Sequence, residues 1–228
     1  MMLKRLATLG CAAILAVALS PVWSSAISVP GTSNPWLAGM PNGTISSFGD
    51  SAPGQSPVLA TGLNLGLGGS LNFSVTGSVS NGPCCALLGP DGGSLESHLG
   101  GAENGIADVT APLNALLGVF LDNTQPDSSG APTSLDFTGG TSFPSLAPSL
   151  KQVFFIGDGL TGTGSGSVQS FVIPTGATRL FLGTMDGFEW NNNFGSFEVT
   201  TNQVPEPNSL LLIFASFMVM RIRKIFFR

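Results

Sequence analysis

The sequence predicts an all-β fold, an antiparallel β-sandwich of jelly-roll type, and three observations carry that reading. Glycine and proline are abundant, at 31 and 16 of 228 residues, and both weaken helix interiors. Short apolar or alternating segments recur between turn-forming residues, the pattern of an all-β chain. No long amphipathic helix pattern falls between residues 27 and 203. Hydrophobic residues make up 43% of the chain, ample for a packed core and against general disorder. The two ends add a signal helix at the N-terminus and a short transmembrane helix at the C-terminus.

The elements follow in chain order. Residues 58–63 form a first strand before the Gly-rich turn 65–69. Residues 70–79 alternate, with Leu71, Phe73 and Val75 on one face and Asn72, Ser74 and Thr76 on the other, the period of a half-buried strand. Residues 115–121 are a short apolar run closed by Asp122-Asn123. Thr110 before Ala111-Pro112 also fits a helix start, so a helix there stays open beside the strand. Residues 123–150 are rich in Pro, Ser and Gly and read as an irregular excursion. Residues 153–156, 168–173 and 179–183 are strands ending in turn residues or a polar loop, and residues 196–200 close the domain.

Charge is sparse and uneven. Charged residues are 9% of the chain. Residues 27–205 hold 12 of the 13 acidic side chains against two cations, Lys151 and Arg179. Such a domain has no electrostatic footprint for nucleic acid and suits solubility or a site that attracts cations. Of the three cysteines, Cys11 lies in the leader. Cys84 and Cys85 are adjacent, and read as two buried or partly buried thiols or as a vicinal bridge formed in an oxidising compartment. No cysteine or histidine spacing matches a zinc site.

Residues 1–26 read as a secretory signal peptide. Lys4 and Arg5 supply the positive start, residues 6–19 the apolar run, and Ser24-Ser25-Ala26 the small residues before cleavage. A buried N-terminal helix or a lipoprotein signal at Cys11 fits these residues less well. The chain ends with Val204-Pro205-Glu206-Pro207, an apolar run over 209–220 and a basic tail over 221–228. The apolar run alone falls short of the roughly 17–25 residues of a spanning helix. Counting through Phe227 reaches it, with Arg and Lys snorkelling to the interface and held on the cytoplasmic side. These three parts in order, over residues 204–228, resemble the PEP-CTERM sorting signal of Gram-negative bacteria; a plain membrane anchor is the other reading. The resemblance implies export through the Sec translocon and an inner-membrane intermediate. It also implies recognition near Pro205-Glu206-Pro207 by an exosortase, and delivery to the cell surface or an exopolysaccharide biofilm matrix.

Within the domain 27–203, the densest polar cluster is Asp186-Gly187-Phe188-Glu189-Trp190-Asn191-Asn192-Asn193. Carboxylate, amide and carbonyl oxygens are the hard ligands that Ca²⁺ takes six to eight at a time, and Trp190 offers an apolar face for a sugar ring. The alternative is a polar turn whose Asn side chains bond their own backbone. Residues 168–200 resemble the closing hairpin of the PA-I-type calcium-dependent galactophilic lectins, in the order Asp186 … Asn192-Asn193-Phe194-Gly195-Ser196-Phe197. The resemblance implies a galactose-binding-like sandwich in which Asp186, Asn192 and Asn193 ligate Ca²⁺ through side chains, with a loop carbonyl at Glu189 or Trp190. Gly77-Ser78-Val79-Ser80-Asn81-Gly82-Pro83 resembles a second loop of that family and implies a main-chain ligand at Asn81. His98 falls near the family's sugar-contacting histidine, and an exposed loop position is its other reading. The implied sugar-binding set is His98, Asp186, Glu189, Trp190, Asn192 and Asn193. The chain departs from the family in a loop one residue shorter between Asp186 and Asn192, and in Leu99-Gly100-Gly101 after His98.

No enzyme is expected. One His and no GxSxG leave acyl transfer unmarked, and Asp186 and Glu189 share one short loop, whereas glycosidase carboxylates flank the sugar. The expected function is a calcium-dependent carbohydrate-binding module on an exported protein, with a non-catalytic structural matrix protein as the alternative.

Overall fold

A computed structural model describes residues 22–23 and 26–204. The expected signal helix and C-terminal anchor lie outside the described residues, as do Pro205, Glu206 and Pro207 of the expected sorting motif. Val204 ends the last described strand. The fold is all-β with predominantly antiparallel pairing. Helical structure among the described residues is confined to 3-10 turns of three residues, such as Pro35–Leu37 and Trp190–Asn192. No helix among the described residues is long and apolar enough to cross a membrane.

Among the described residues the largest sheet has six strands. Its centre is the long pair Ser70–Ser80 and Phe194–Val204, antiparallel and in continuous register from Ser70↔Val204 to Ser80↔Phe194. Ile27–Pro30 and Val22–Trp23 both pair with the last strand; Val22–Trp23 belongs to the stretch read above as leader. Ser170–Val172 extends the sheet from Ser70–Ser80, and Ser145–Leu146 adds to it in parallel. A second sheet runs Val153–Phe155, Leu116–Leu121, Arg179–Thr184, Val58–Leu59. Leu95–Ser97, Val109–Pro112 and Leu135–Asp136 form a three-stranded sheet, and Leu160–Gly162 pairs with Ser165–Val168.

One apolar cluster is shared by the two large sheets. Leu71, Phe73, Val75, Phe171, Phe197 and Val199 enter it from the six-stranded sheet, and Leu116, Phe120, Phe154, Leu180 and Leu182 from the four-stranded one. The expected alternation of Leu71, Phe73 and Val75 is the burial pattern seen in Ser70–Ser80. Leu116–Leu121 is buried along its whole length. Leu117, Val119 and Leu121 face a second cluster with Trp36, Val109, Phe155 and Trp190. Burial on both faces is why that segment reads as an unbroken apolar run. Gly118 lies within it because a Cβ there would meet the Phe154 ring at 2.5 Å.

Several expected elements shift. The 58–63 strand is only Val58–Leu59. The 168–173 strand is broken at Gln169, between Ser165–Val168 and Ser170–Val172, where the Gln169 Nε2 donates to Thr141 O and Phe143 O, at 2.7 and 2.8 Å. The last strand is eleven residues long, Phe194–Val204. Thr110 lies in Val109–Pro112, a strand, and Asn114 at φ 66° makes the turn into Leu116–Leu121. Residues 123–150 are largely irregular and are tied down by the two cations. Arg179 donates to the carbonyls of Asp122 and Thr124, and Lys151 to Gly130 O and Ser129 Oγ. The expectation of buried cysteines is corrected: Cys84 and Cys85 are both exposed free thiols, in a turn outside either core.

Candidate functional site

The polar loop leaves Arg179–Thr184 and returns as Phe194–Val204, so adjacent strands of different sheets fix its two ends. At its middle Glu189 takes a left-handed φ of 60° and leads into the 3-10 turn Trp190–Asn192. That turn is held from below by a residue far away in sequence. The Asp50 carboxylate accepts the Trp190 N–H at 3.1 Å and the Asn191 N–H at 3.0 Å. Asn34 Nδ2 donates to the same carboxylate at 3.2 Å, and Asp50 is fully buried. Buried charge-assisted hydrogen bonds of this kind fix a loop firmly.

Asp186 is 5% exposed. Its Oδ1 accepts its neighbour Gly187 N–H at 2.7 Å, and its Oδ2 is buried without a hydrogen-bond partner. Burial pushes the carboxyl above the usual carboxylate range, against hydrogen bonding from the Asn193 amide and the Gly187 and Phe188 N–H groups. Asn193 is 6% exposed. Its Nδ2 donates to Gly31 O at 3.2 Å while its Oδ1 has no partner. Asn192 Oδ1 is likewise buried and unpartnered.

The register brings the second loop to the same place. Ser80 is opposite Phe194, so Asn81 and Asn193 follow one another out of the same end of the sheet. Asn81 Oδ1 accepts from Asn114 Nδ2 at 3.3 Å, and Asn114 N–H donates to Met185 O at 2.8 Å. Asn114 therefore stands between the two loops, and its own Oδ1 is buried and unpartnered. Close approach of the two strands needs glycine. At Gly195, φ 81°, a Cβ would overlap Ser78 O, and at Gly77, φ 99°, it would overlap Ser196 O.

Asp186 and Asn193 are thus hydrogen-bonded neighbours, Asn81 leaves the same sheet end as Asn193, and Asn192, Trp190 and Glu189 lie in the Asp186 loop. Two expectations need correcting. The Trp190 ring is fully buried and its Nε1 donates to Thr184 O at 2.9 Å, so its face is not available to a sugar and only its main chain remains a candidate ligand. His98 is 3% exposed and stacks on Trp36, with ring centroids 4.0 Å apart. Its Nδ1 pairs with Gly101 O at 2.9 Å. Both the sugar-contacting and the exposed-loop readings of its side chain give way to a buried ring. Its backbone still adjoins the site, since Leu99 N–H donates to Gly187 O at 3.0 Å. Glu189 is exposed.

Sequence reasoning missed Asp50, Asn34 and Asn114, which no local motif links to residues 186–193. It also missed the exposed aromatics. Phe188 and Phe48 are 45% and 37% exposed, with ring centroids 5.9 Å apart, and Phe188 lies two residues after Asp186. Chemically, four buried acceptor oxygens without donors, one of them on a carboxylate, fit a hard cation: acceptors left unpaired in a protein interior are costly, and Ca²⁺ takes such oxygens. No protein-family model matches the chain, and neither does any curated protein or solved structure.

Proposed function

We propose that this chain is a non-catalytic, exported protein whose antiparallel β-sandwich carries a calcium-dependent carbohydrate-binding module. The observation that carries it is the group of buried, unpartnered oxygens: Asp186 Oδ2, Asn192 Oδ1, Asn193 Oδ1 and Asn114 Oδ1. The sandwich reading is supported by the apolar cluster that the two large sheets share. Asp186, Asn192 and Asn193 would hold the ion through side chains, with main-chain oxygens of Asn81 and of Glu189 or Trp190 completing the set. When bound, Ca²⁺ supplies open coordination positions for vicinal sugar hydroxyls. The protein's part is to hold the loop through Asp50 and to offer Phe188 and Phe48 as an exposed apolar surface on it.

Export rests on the sequence. The leader and the Val204-Pro205-Glu206-Pro207, apolar and basic segments support passage through the Sec translocon and handling by an exosortase. The destination is the surface or biofilm matrix of a Gram-negative cell.

One observation favours a second reading. With Trp190 and His98 both buried, the side chains around the oxygens are poorer in sugar-facing groups than the lectin resemblance implies. A structural calcium that rivets the loop of a matrix protein fits that. Titration calorimetry with CaCl₂, followed by glycan-array binding with and without a chelator, decides between them. Sugar binding abolished by chelation supports the lectin. Calcium binding without sugar binding supports the structural role, and neither kind of binding removes both.

A further inference from the structure

Ser80–Asn81 opens a turn that returns at Leu88, where Val79 and Leu88 exchange both backbone hydrogen bonds, at 3.0 and 2.8 Å. Cys84 and Cys85 sit at its tip. The base of the turn is fixed while its tip is exposed: Ser80 Oγ donates to Gly82 O at 2.8 Å and Cys85 O at 3.1 Å, and Cys85 N–H donates to Gly82 O at 3.1 Å. The two Sγ atoms lie 3.7 Å apart on the solvent side.

No other cysteine lies among the described residues. Nor do three or more His, Cys, Asp or Glu side chains gather there as metal ligands. A multi-ligand thiolate metal site is therefore not what this turn offers. Two exposed thiols on adjacent residues, already in sulfur contact, have each other as nearest redox partner.

We propose that Cys84 and Cys85 form a redox-active vicinal dithiol that closes reversibly to an intrachain disulfide by exchange with a small-molecule or protein disulfide. One thiol loses its proton and its sulfur attacks the oxidant's disulfide, forming a mixed disulfide and releasing one oxidant thiolate. The second thiol loses its proton and attacks the protein-side sulfur, forming the Cys84–Cys85 bond and releasing the other oxidant thiolate. The two protons end on the two released thiols. The protein is oxidised by two electrons and the oxidant disulfide is reduced to two thiols. Adjacent residues close a small strained ring, and exposed, strained disulfides are the readily reduced kind. The hydrogen bond with Cys84 pushes the Cys85 thiol up, so exchange speeds up as pH rises. This assignment stands whether or not the neighbouring oxygens hold a cation.

The test uses the full chain carrying Cys11→Ser, so that only this pair titrates. It is incubated with glutathione disulfide, freed of it, and read by intact mass, peptide mapping and thiol titration. The expected result is joint loss of both thiols, a mass lower by two hydrogens, no retained glutathione, and full recovery with dithiothreitol. Cys84→Ser should instead keep one glutathione on Cys85. As a readout that needs no variant at the pair, the reduced protein should take one phenylarsine oxide per chain, bridged by both sulfurs. A pair that stays reduced, keeps glutathione on either sulfur, or links separate chains into a covalent dimer overturns the proposal.

Discussion

Asp50 grips the turn at Trp190 from 140 residues away, its carboxylate accepting the Trp190 N–H at 3.1 Å and the adjacent Asn191 N–H at 3.0 Å. Those two donors open a 3-10 turn and have no earlier carbonyl to bond. Hydrogen bonds to a charged group contribute about 1.5–3 kcal/mol each. Replacing Asp50 with Ala leaves both N–H groups and the Asn34 amide facing a gap. The expected loss is about 3–5 kcal/mol of stability, non-additivity included, read as a lower urea midpoint with an unchanged slope. Calcium affinity should fall as well, since the turn carries Asn192.

Asp186 gives a prediction of opposite sign with and without metal. Burial raises its folded-state pKa, so the folded protein holds a proton that the unfolded chain has released. In chelator, stability is therefore highest below the ordinary carboxylate range and declines as pH rises through the folded pKa. Calcium needs the ionised form, so added CaCl₂ should reverse that slope. Asp186→Asn should abolish the calcium response yet be no less stable than the parent in chelator at neutral pH. Equal calcium-induced shifts in melting temperature for parent and variant would remove Asp186 from the site.

Much of this was legible in the sequence where the signal was local. The alternation at Leu71, Phe73 and Val75 gave a face because side-chain direction in a strand has a period of two. Asp186, Asn192 and Asn193 stood out because one loop holds them. Asp50 and Asn114 did not, because their roles arise only when strands distant in sequence pair. Trp190 misled for a related reason: a Trp beside polar residues reads equally as a surface platform or as a core anchor. Here an indole N–H partner, Thr184 O at 2.9 Å, let the whole ring go inside. Cys84 and Cys85 were misplaced because cysteine is usually buried, whereas the turn after Ser80 projects from the sheet end.

His98 should make the fold acid-sensitive. Burial lowers its folded pKa, outweighing the Gly101 carbonyl and the charges of Glu103, Asp108 and Asp50. Glu103 Oε2 is 3.7 Å from Nε2, and the Trp36 and Trp190 rings enclose the imidazole. The unfolded chain binds a proton near the ordinary value of about 6.5, before the folded protein does. Stability is then full above that value and falls as pH drops through the window down to the folded pKa. His98→Phe, which keeps the stack on Trp36, should flatten the fall of the urea midpoint below about pH 6.5. An unchanged slope in the variant would assign the acid sensitivity elsewhere.

Gly195 is the tightest point between the two central strands. With φ at 81° and Ser78 O where a Cβ would go, alanine meets both backbone strain and a collision with main chain that cannot rotate away. Strain of this kind costs of order 1–3 kcal/mol before the collision is added. Gly195→Ala should therefore lose more stability than alanine at Gly43, which is also at positive φ but has open space around it. Denaturation of both variants separates the clash from the dihedral; equal losses would leave the strand approach without a role.

Phe188 separates sugar from metal. Its ring is 45% exposed, beside Phe48 and two residues from Asp186, while nothing assigns its side chain to the cation. A sugar seated on the ion must place an apolar face against some neighbour, and the buried rings of Trp190 and His98 cannot supply one. Phe188→Ala should leave calcium affinity within about twofold while weakening glycan binding by roughly tenfold, the size of an aromatic contact of about 1–1.5 kcal/mol. The two readouts come from calorimetry on one sample. Parallel loss of both would mean that Phe188 supports the loop and not the sugar, and unchanged glycan binding would move the sugar face away from this pair of rings.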